Sequence, residues 1–389
     1  MSVTAPEGFV ATAGAAGIKA GGVPDVAVVA TADGRAVPAA GVFTSNLAAA
    51  APVQVSRTHL EATGGRAAGV LFTSGNANAA TGKAGVEAAW SLCDAVASGI
   101  GASAREILIG QTGLIGIPFP LNVALPHVPA IVAARAGGAE AGAAAARAIM
   151  TTDSVPKEAV VRAEGFTVGA MAKGAAMLAP HMATMLALCT TDADVDAATL
   201  HRALRVAVAG SFNALTVDGC TSTNDTVLVL ASGLGAAPST EALTAALAEV
   251  CASLAGQMAD DAEGATKVSH IVVTGAVSDA AAHAAARRVA DSLLVQCSLN
   301  GEDPYWGRVV SELGSAGVAF DMETVKVAYG GVVVCDGGVA VAHDAAAVAA
   351  HMAGRHVEIT CDLGQGRGEA AVLGTDLGYA YIDENRTTS

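Results

Sequence analysis

Leu178-Ala179-Pro180-His181-Met182-Ala183-Thr184-Met185-Leu186-Ala187-Leu188-Cys189-Thr190 lies near the middle of the 389-residue chain and organises the reading of it. Pro180 has no amide hydrogen and its ring clashes with a preceding turn, so no helix continues through it. From Thr184 onward the residues are apolar or β-branched, which predicts a buried strand. A threonine at the head of such a strand, behind a proline-marked loop, is well placed to act as an N-terminal nucleophile. His181, three residues away, invites a hydroxyl–imidazole pairing, but it is read here as loop filler.

Outward from this stretch, strands are expected at Val26–Thr31, Ala68–Ser74 and Ile271–Thr274, with a hairpin at Val325–Cys335 turning on Gly330-Gly331. Alanine-rich runs predict helices at Ala130–Met150, Ala197–Ala209, Thr240–Met258 and Ser278–Leu294, with Ser239 and Thr240 supplying a hydroxyl to cap the third. Strands and helices alternate without a strict βαβ period, so the fold class is α/β, a layered α/β sandwich rather than a Rossmann domain or a barrel. No repeat of fixed period is present.

Composition narrows the function. Hydrophobic residues make up 52% and aromatics only 3%, with 45 glycines, so the core is built from small side chains in close backbone approach. The formal net charge is −15 with no Lys/Arg cluster, which argues against a nucleic-acid partner. Seven widely spaced cysteines without a C-x-x-C read as reduced, buried thiols rather than a disulfide or zinc framework. The N-terminus has no basic segment followed by an apolar one. Apolar runs are broken by Gly, Pro or charge before a membrane-spanning length. The expectation is a cytoplasmic protein with no membrane partner, no metal and no organic cofactor.

Lys173-Gly174-Ala175-Ala176-Met177-Leu178-Ala179-Pro180-His181-Met182-Ala183-Thr184-Met185-Leu186 resembles the K-G-x-G-M-(I/L)-x-P-x-M-A-T-M-L hallmark of the glutamate N-acetyltransferase (ornithine acetyltransferase) family. Six further stretches are similar to motifs of that family, in order along the chain. They are Ser74–Ala79 (SGNANA), Thr112–Gly116 (TGLIG), Ala148–Asp153 (AIMTTD), Thr221–Thr226 (TSTNDT), Asp261–Lys267 (DAEGATK) and Gly301–Arg308 (GEDPYWGR). Any one alone is weak; Thr112-Gly113 by itself would be a turn, and Thr184 an ordinary strand threonine. Together they carry the resemblance.

The resemblance implies a layered sandwich of the L-aminopeptidase/ornithine acetyltransferase type. It also implies self-cleavage between Ala183 and Thr184, leaving an α chain of residues 1–183 interlocked with a β chain of 184–389. Thr184 would be the nucleophile and its new α-amine the base; such an amine has a pKa of ~7.7–8.0, against ~10.4 for lysine. The Thr112 hydroxyl and Gly113 amide would form the oxyanion hole. Thr151 (in preference to Thr152), Lys173, Thr184, Glu263, Asn385 and Ser389 would bind substrate. The substrates would be N-acetylornithine and glutamate in ping-pong acetyl transfer, with acetyl-CoA left open as a further donor and two copies of each chain forming a heterotetramer. Three alternatives stay open: an N-terminal-threonine amidohydrolase or aminopeptidase, an uncleaved binding homologue, and an acetyltransferase of a secondary pathway with another acceptor. The sequence departs from the family at Ala176 (usually Gly), Gln111 (usually Ser), Tyr305 (usually Asn) and in a tail one residue short at Ser389. These departures bear on substrate range more than on mechanism.

Overall fold

The computed structural model describes residues 2–177 and 185–386. Two sheets lie face to face. In the first, Phe9–Gly14, Val26–Thr31, Gly69–Asn76 and Ile107–Leu114 are neighbours in that order, and only the last pair is parallel. In the central sheet the order is Arg66–Ala67, Val37–Phe43, Thr226–Ala231, Leu186–Thr191, Phe166–Lys173 and Lys157–Ala163. There the pair Thr226–Ala231 with Leu186–Thr191 is parallel, and the others are antiparallel.

Side chains alternate across a strand, and that alternation makes the layers. Leu186 and Leu188 point toward the first sheet, where they join Val29, Phe72 and Leu108 in one core. Their neighbours Ala187 and Cys189 point the other way, under the helices Ala197–Ala209 and Thr240–Asp260. On the outer face of the first sheet, Val26, Val28, Leu71 and Ile109 pack against Gly82–Ile100 and Val128–Ala133. The result is helix, sheet, sheet, helix, as expected for a layered α/β sandwich. Leu186 and Phe72 close over Gly110, where a side chain would strike both. Each fully buried leucine contributes about 1.5–3 kcal/mol relative to exposure.

A third sheet lies entirely C-terminal to residue 184. Its order is Val339–Ala340, Val332–Asp336, Lys326–Tyr329, His356–Asp362, Val268–Ala276 and Gly368–Thr375, over a separate apolar core with Val289, Leu313 and Tyr329. The Gly330-Gly331 hairpin turns as expected, with φ of 54° and 79°.

Two expected helices are each interrupted. The run Ala130–Met150 falls on two helices, Val128–Ala133 and Ala139–Ala148, because Gly138 has φ 94° and Ala136 leaves to bridge Ala11. The run Ser278–Leu294 becomes Asp279–Ala290, and a new helix, Leu293–Asn300, begins where the Ser292 side chain caps Val295. Ala197–Ala209 matches its expected bounds, begun by the Asp196 carboxylate accepting from the Thr199 amide at 2.7 Å. One apolar run is longer than expected. Thr240–Asp260 is long and apolar enough to cross a membrane, and 50% of its apolar window is buried. Leu243, Leu247, Val250, Leu254 and Met258 lie in the core beneath the central sheet, which accounts for the hydropathy. Among the cysteines, Cys220 and Cys297 are exposed, contrary to the expectation of uniform burial, and all seven are free thiols.

Candidate active site

The site gathers at one end of the two facing sheets. On the first sheet, Ser74 pairs with Thr112 and Gly75 with Gly113 in parallel register. Thr112 is buried. Gly113 has φ 128°, and a Cβ there would collide with the Gly75 carbonyl carbon and the Asn76 nitrogen. Only glycine accepts that backbone and that contact. On the central sheet, Lys173 pairs with Leu186, and Leu186 with Thr226. Lys173, the strand head after residue 184 and the Thr221–Thr226 loop therefore stand side by side.

Asn224 ties the two sheets together. Its Nδ2 donates to the carbonyl of Gln111 at 2.9 Å and of Ala77 at 2.6 Å. The strand carrying Thr112 is thus braced directly to the loop beside residue 185. Gln111, where the family usually has serine, is fully buried and structural. Its Oε1 accepts from Asn78 Nδ2 at 2.8 Å, and its Nε2 donates to Thr73 Oγ1 at 3.0 Å. The longer amide spans a gap that a serine hydroxyl could not, and leaves Thr112 and Gly113 in place.

Lys173 is buried, and its Nζ donates to Thr151 Oγ1 at 2.6 Å. The structure thus brings Thr151 to Lys173. Asp153 organises both. Its Oδ1 accepts from Lys157 Nζ and Gly174 N, each at 2.7 Å; its Oδ2 accepts from Thr151 N at 3.1 Å and lies 3.7 Å from Lys173 Nζ. Burial opposes ionisation of this carboxyl, but Lys173, Lys157 and the hydrogen bonds from Lys157 and Gly174 outweigh it and hold the pKa below the usual carboxylate range. Fully buried Lys157 also reaches Asp261 at 2.6 Å, which joins the Thr151 loop to the loop carrying Glu263.

Glu263 is buried next to this cluster, its amide donating to Ala175 O at 2.9 Å. Its Oε2 accepts from Asn385 Nδ2 at 2.9 Å, so the C-terminal helix Tyr379–Asn385 closes this side. That helix seats on Gly264, whose φ is 64° and whose missing side chain leaves room for the backbone of Ala380 and Tyr381. Thr112, Gly113, Thr151, Lys173, Glu263 and Asn385 all line the ends of connected elements. Ala183, Thr184, His181 and Ser389 lie outside the described residues. Tyr305 is exposed, its ring under Arg308 with 5.6 Å to the guanidinium, beside the third sheet.

Sequence reasoning missed two carboxylates. Asp153 ends a quoted motif, but its partner Lys157 reads as an ordinary surface lysine in sequence. Asp225 ends the Thr-Asn-Asp triplet and is completely buried. Its Oδ1 accepts from Met185 N at 2.9 Å, and its Oδ2 has no hydrogen-bond partner among the described residues. Burial pushes this carboxyl well above the usual range, against the opposing pull of the Met185 amide, Ser222 and Lys173. The arrangement offers a buried hydroxyl and a glycine amide on one sheet, a strand head beside a carboxyl whose ionisation burial opposes on the other, and a lysine and a glutamate beside them. That set suits acyl transfer to and from a zwitterionic molecule.

Comparison with known proteins agrees with this chemistry. The ArgJ family model matches residues 10–387. An arginine biosynthesis bifunctional protein ArgJ of Streptomyces avermitilis is 44% identical over 391 residues, covering all of both chains. The protein of the same name from Thermobifida fusca is 45% identical over 392 residues, again over the full length of both. Among solved structures, the ornithine acetyltransferase of Mycobacterium tuberculosis complexed with ornithine is 41% identical; the match covers 48% of this chain and 96% of that one, with a TM-score of 0.44.

Proposed function

This chain belongs to the ArgJ family, and from that premise we propose that it is the bifunctional acetyltransferase of arginine biosynthesis, moving acetyl from N-acetylornithine to glutamate through acetyl-Thr184. The observation that carries the reading is the brace from Asn224 to Gln111, which brings the Thr112-Gly113 strand against the strand that begins after residue 184.

The chain first cuts itself. Thr184 Oγ attacks the Ala183 carbonyl, the peptide nitrogen leaves as the Thr184 α-amine, and water hydrolyses the resulting ester. Residues 1–183 and 184–389 result. In the first half-reaction the α-amine takes the hydroxyl proton as Oγ attacks the acetyl carbonyl of N-acetylornithine. The Thr112 hydroxyl and Gly113 amide stabilise the tetrahedral oxyanion. Collapse returns the proton to the departing amine, ornithine leaves, and the acetyl group remains as an ester on Thr184. The glutamate α-amine then attacks that ester, through the same oxyanion site, and restores the free hydroxyl.

Substrate recognition uses Lys173, poised on Thr151, for a carboxylate, and Glu263, held by Asn385, for the ornithine ammonium. Ser389 is assigned to the same substrate. The chemistry needs no metal or organic cofactor, and acetyl-CoA serves as a co-substrate where glutamate is acetylated without ornithine recycling. The working form is cytoplasmic, with two copies of each chain.

Intact-mass measurement on purified protein tests the cleavage: two chains are expected, the second starting at Thr184. Incubation with N-acetylornithine alone should add one acetyl group to Thr184. An acetyl group on Cys189, Ser222 or any other residue refutes the mechanism.

A further inference from the structure

Buried Asp25 shapes the loop before it. Its carboxylate accepts from the amides of Ala16 at 2.6 Å, Ile18 at 2.7 Å and Lys19 at 2.9 Å. This aims Lys19 back across the end of the first sheet. The Lys19 Nζ donates to the carbonyl of Met150 at 2.6 Å. Met150 is followed by Thr151, whose hydroxyl holds Lys173 Nζ at the same distance, 2.6 Å. Two ammonium groups are thus anchored on consecutive residues of one loop. The Lys19 stem lies on Gly75, where a Cβ would come within 2.9 Å of Lys19 Cγ, and Gly75 is the strand partner of Gly113. Lys19 therefore sits between the oxyanion strand pair and Lys173.

The two lysines differ in what already satisfies them. Lys173 has Asp153 at 3.7 Å, whereas Lys19 makes no ion pair among the described residues. Half-burial lowers the Lys19 pKa, Asp25 opposes the shift, and the nearby charge of Lys173 adds to it. A half-buried ammonium with carboxylates near it but none in direct ion pairing gains from an anion brought into contact with it.

The substrates supply such an anion unequally. Ornithine and glutamate share an α-carboxylate, but the ornithine side chain ends in an ammonium and that of glutamate in a carboxylate. A ping-pong site takes both in turn. Glu263 suits the ammonium, and Lys173 suits the shared carboxylate. We propose that Lys19 is a further substrate-binding residue, taking the side-chain carboxylate that only the glutamate acceptor carries. The proposal rests on the acetyl-transfer reading above.

The test compares two acceptors with one donor. Cleaved wild type, Lys19→Met, Lys19→Gln and Lys19→Arg are given N-acetylornithine together with either glutamate or isotopically labelled ornithine. Lys19→Gln keeps a donor for the Met150 carbonyl while removing the charge, so it separates loop support from charge recognition. In Lys19→Met and Lys19→Gln, the ratio of kcat/KM for glutamate to that for ornithine should fall about tenfold or more, chiefly through the KM for glutamate. Lys19→Arg should recover most of that ratio. An unchanged ratio in Lys19→Gln, whether both activities survive or both fall together, overturns the assignment. Wild type that transfers acetyl to neither acceptor overturns the acetyltransferase reading, and this proposal with it.

Discussion

Asp153 and Asp225 are both buried carboxyls, on either side of Lys173 in the fold, and their surroundings shift their ionisation in opposite directions. Asp153 has two lysines and two backbone amides. Asp225 has one amide, and among the described residues its second oxygen has no hydrogen-bond partner. The site is consequently divided. One end is a fixed lattice of charge, suited to recognising a charged amino acid. The other end is the more neutral one: burial opposes ionisation of the carboxyl beside the strand head, and a full negative charge there would oppose the oxyanion that acyl transfer creates.

Thr184→Ala breaks the neutral end outright. Without the hydroxyl there is no attack on Ala183 and no acetyl acceptor, so the chain should remain whole, folded and inactive. A cut and active Thr184→Ala protein would remove the nucleophile from the scheme. At the charged end, Asp153→Ala leaves Lys157 buried with Asp261 alone and Lys173 without its carboxylate. Breaking such a buried pair costs about 3–5 kcal/mol, which chemical denaturation should read as a lower midpoint. Thr112→Ala, which leaves both carboxyls untouched, should cost on the order of 10²–10³ in kcat. Unchanged turnover would take Thr112 out of the oxyanion hole.

The smallest effects come from pH, and their signs differ. The folded pKa of Asp153 lies below its unfolded value of ~3.9, so its stabilisation is complete above that value and is lost as pH falls below it. The folded pKa of Asp225 lies above its unfolded value, so the folded state binds the extra proton, and stability falls as pH rises from ~3.9 toward the folded pKa. Asp225→Asn abolishes that loss. It should match or exceed wild-type stability at neutral pH, by on the order of 1 kcal/mol, with the advantage fading in acid. Thermal unfolding across pH 4–8 measures this, and a variant less stable at neutral than at acid pH, relative to wild type, would show that Asp225 is ionised.

The layered fold was legible because its signals are local. Val26–Thr31 carries four β-branched residues in six, and Ala197–Ala209 follows a carboxylate cap. The alanine runs misled where one backbone feature mattered more than propensity: Gly138 divides one helix, and Ser292 starts another. The site was legible only through its motifs. Thr112, Gly113, Lys173 and Glu263 could be named by resemblance, and the structure sets them on strands and loops that Asn224 and the strand register connect. Lys19 and Lys157 could not, because what distinguishes them is burial against Met150 and Asp261, contacts made across 131 and 104 residues of chain. The interface of Gln111 with Asn78 and Thr73 was hidden for the same reason.

The central sheet draws Val37–Phe43, Lys157–Ala163 and Phe166–Lys173 from before residue 184, and Leu186–Thr191 and Thr226–Ala231 from after it. A break at 183–184 therefore severs the covalent thread without opening the ladder: Lys173 still pairs with Leu186, and Val42 with Val227. The thermodynamics change nonetheless. An intact chain unfolds and refolds as a single molecule, while a cut one must reunite two, so its melting temperature acquires a dependence on protein concentration that its uncut precursor lacks. Refolding from denaturant would become second order and slow on dilution. Under the proposed cleavage, the precursor would assemble its sheet while the strands are still tethered, and the cut would then make that assembly hard to repeat.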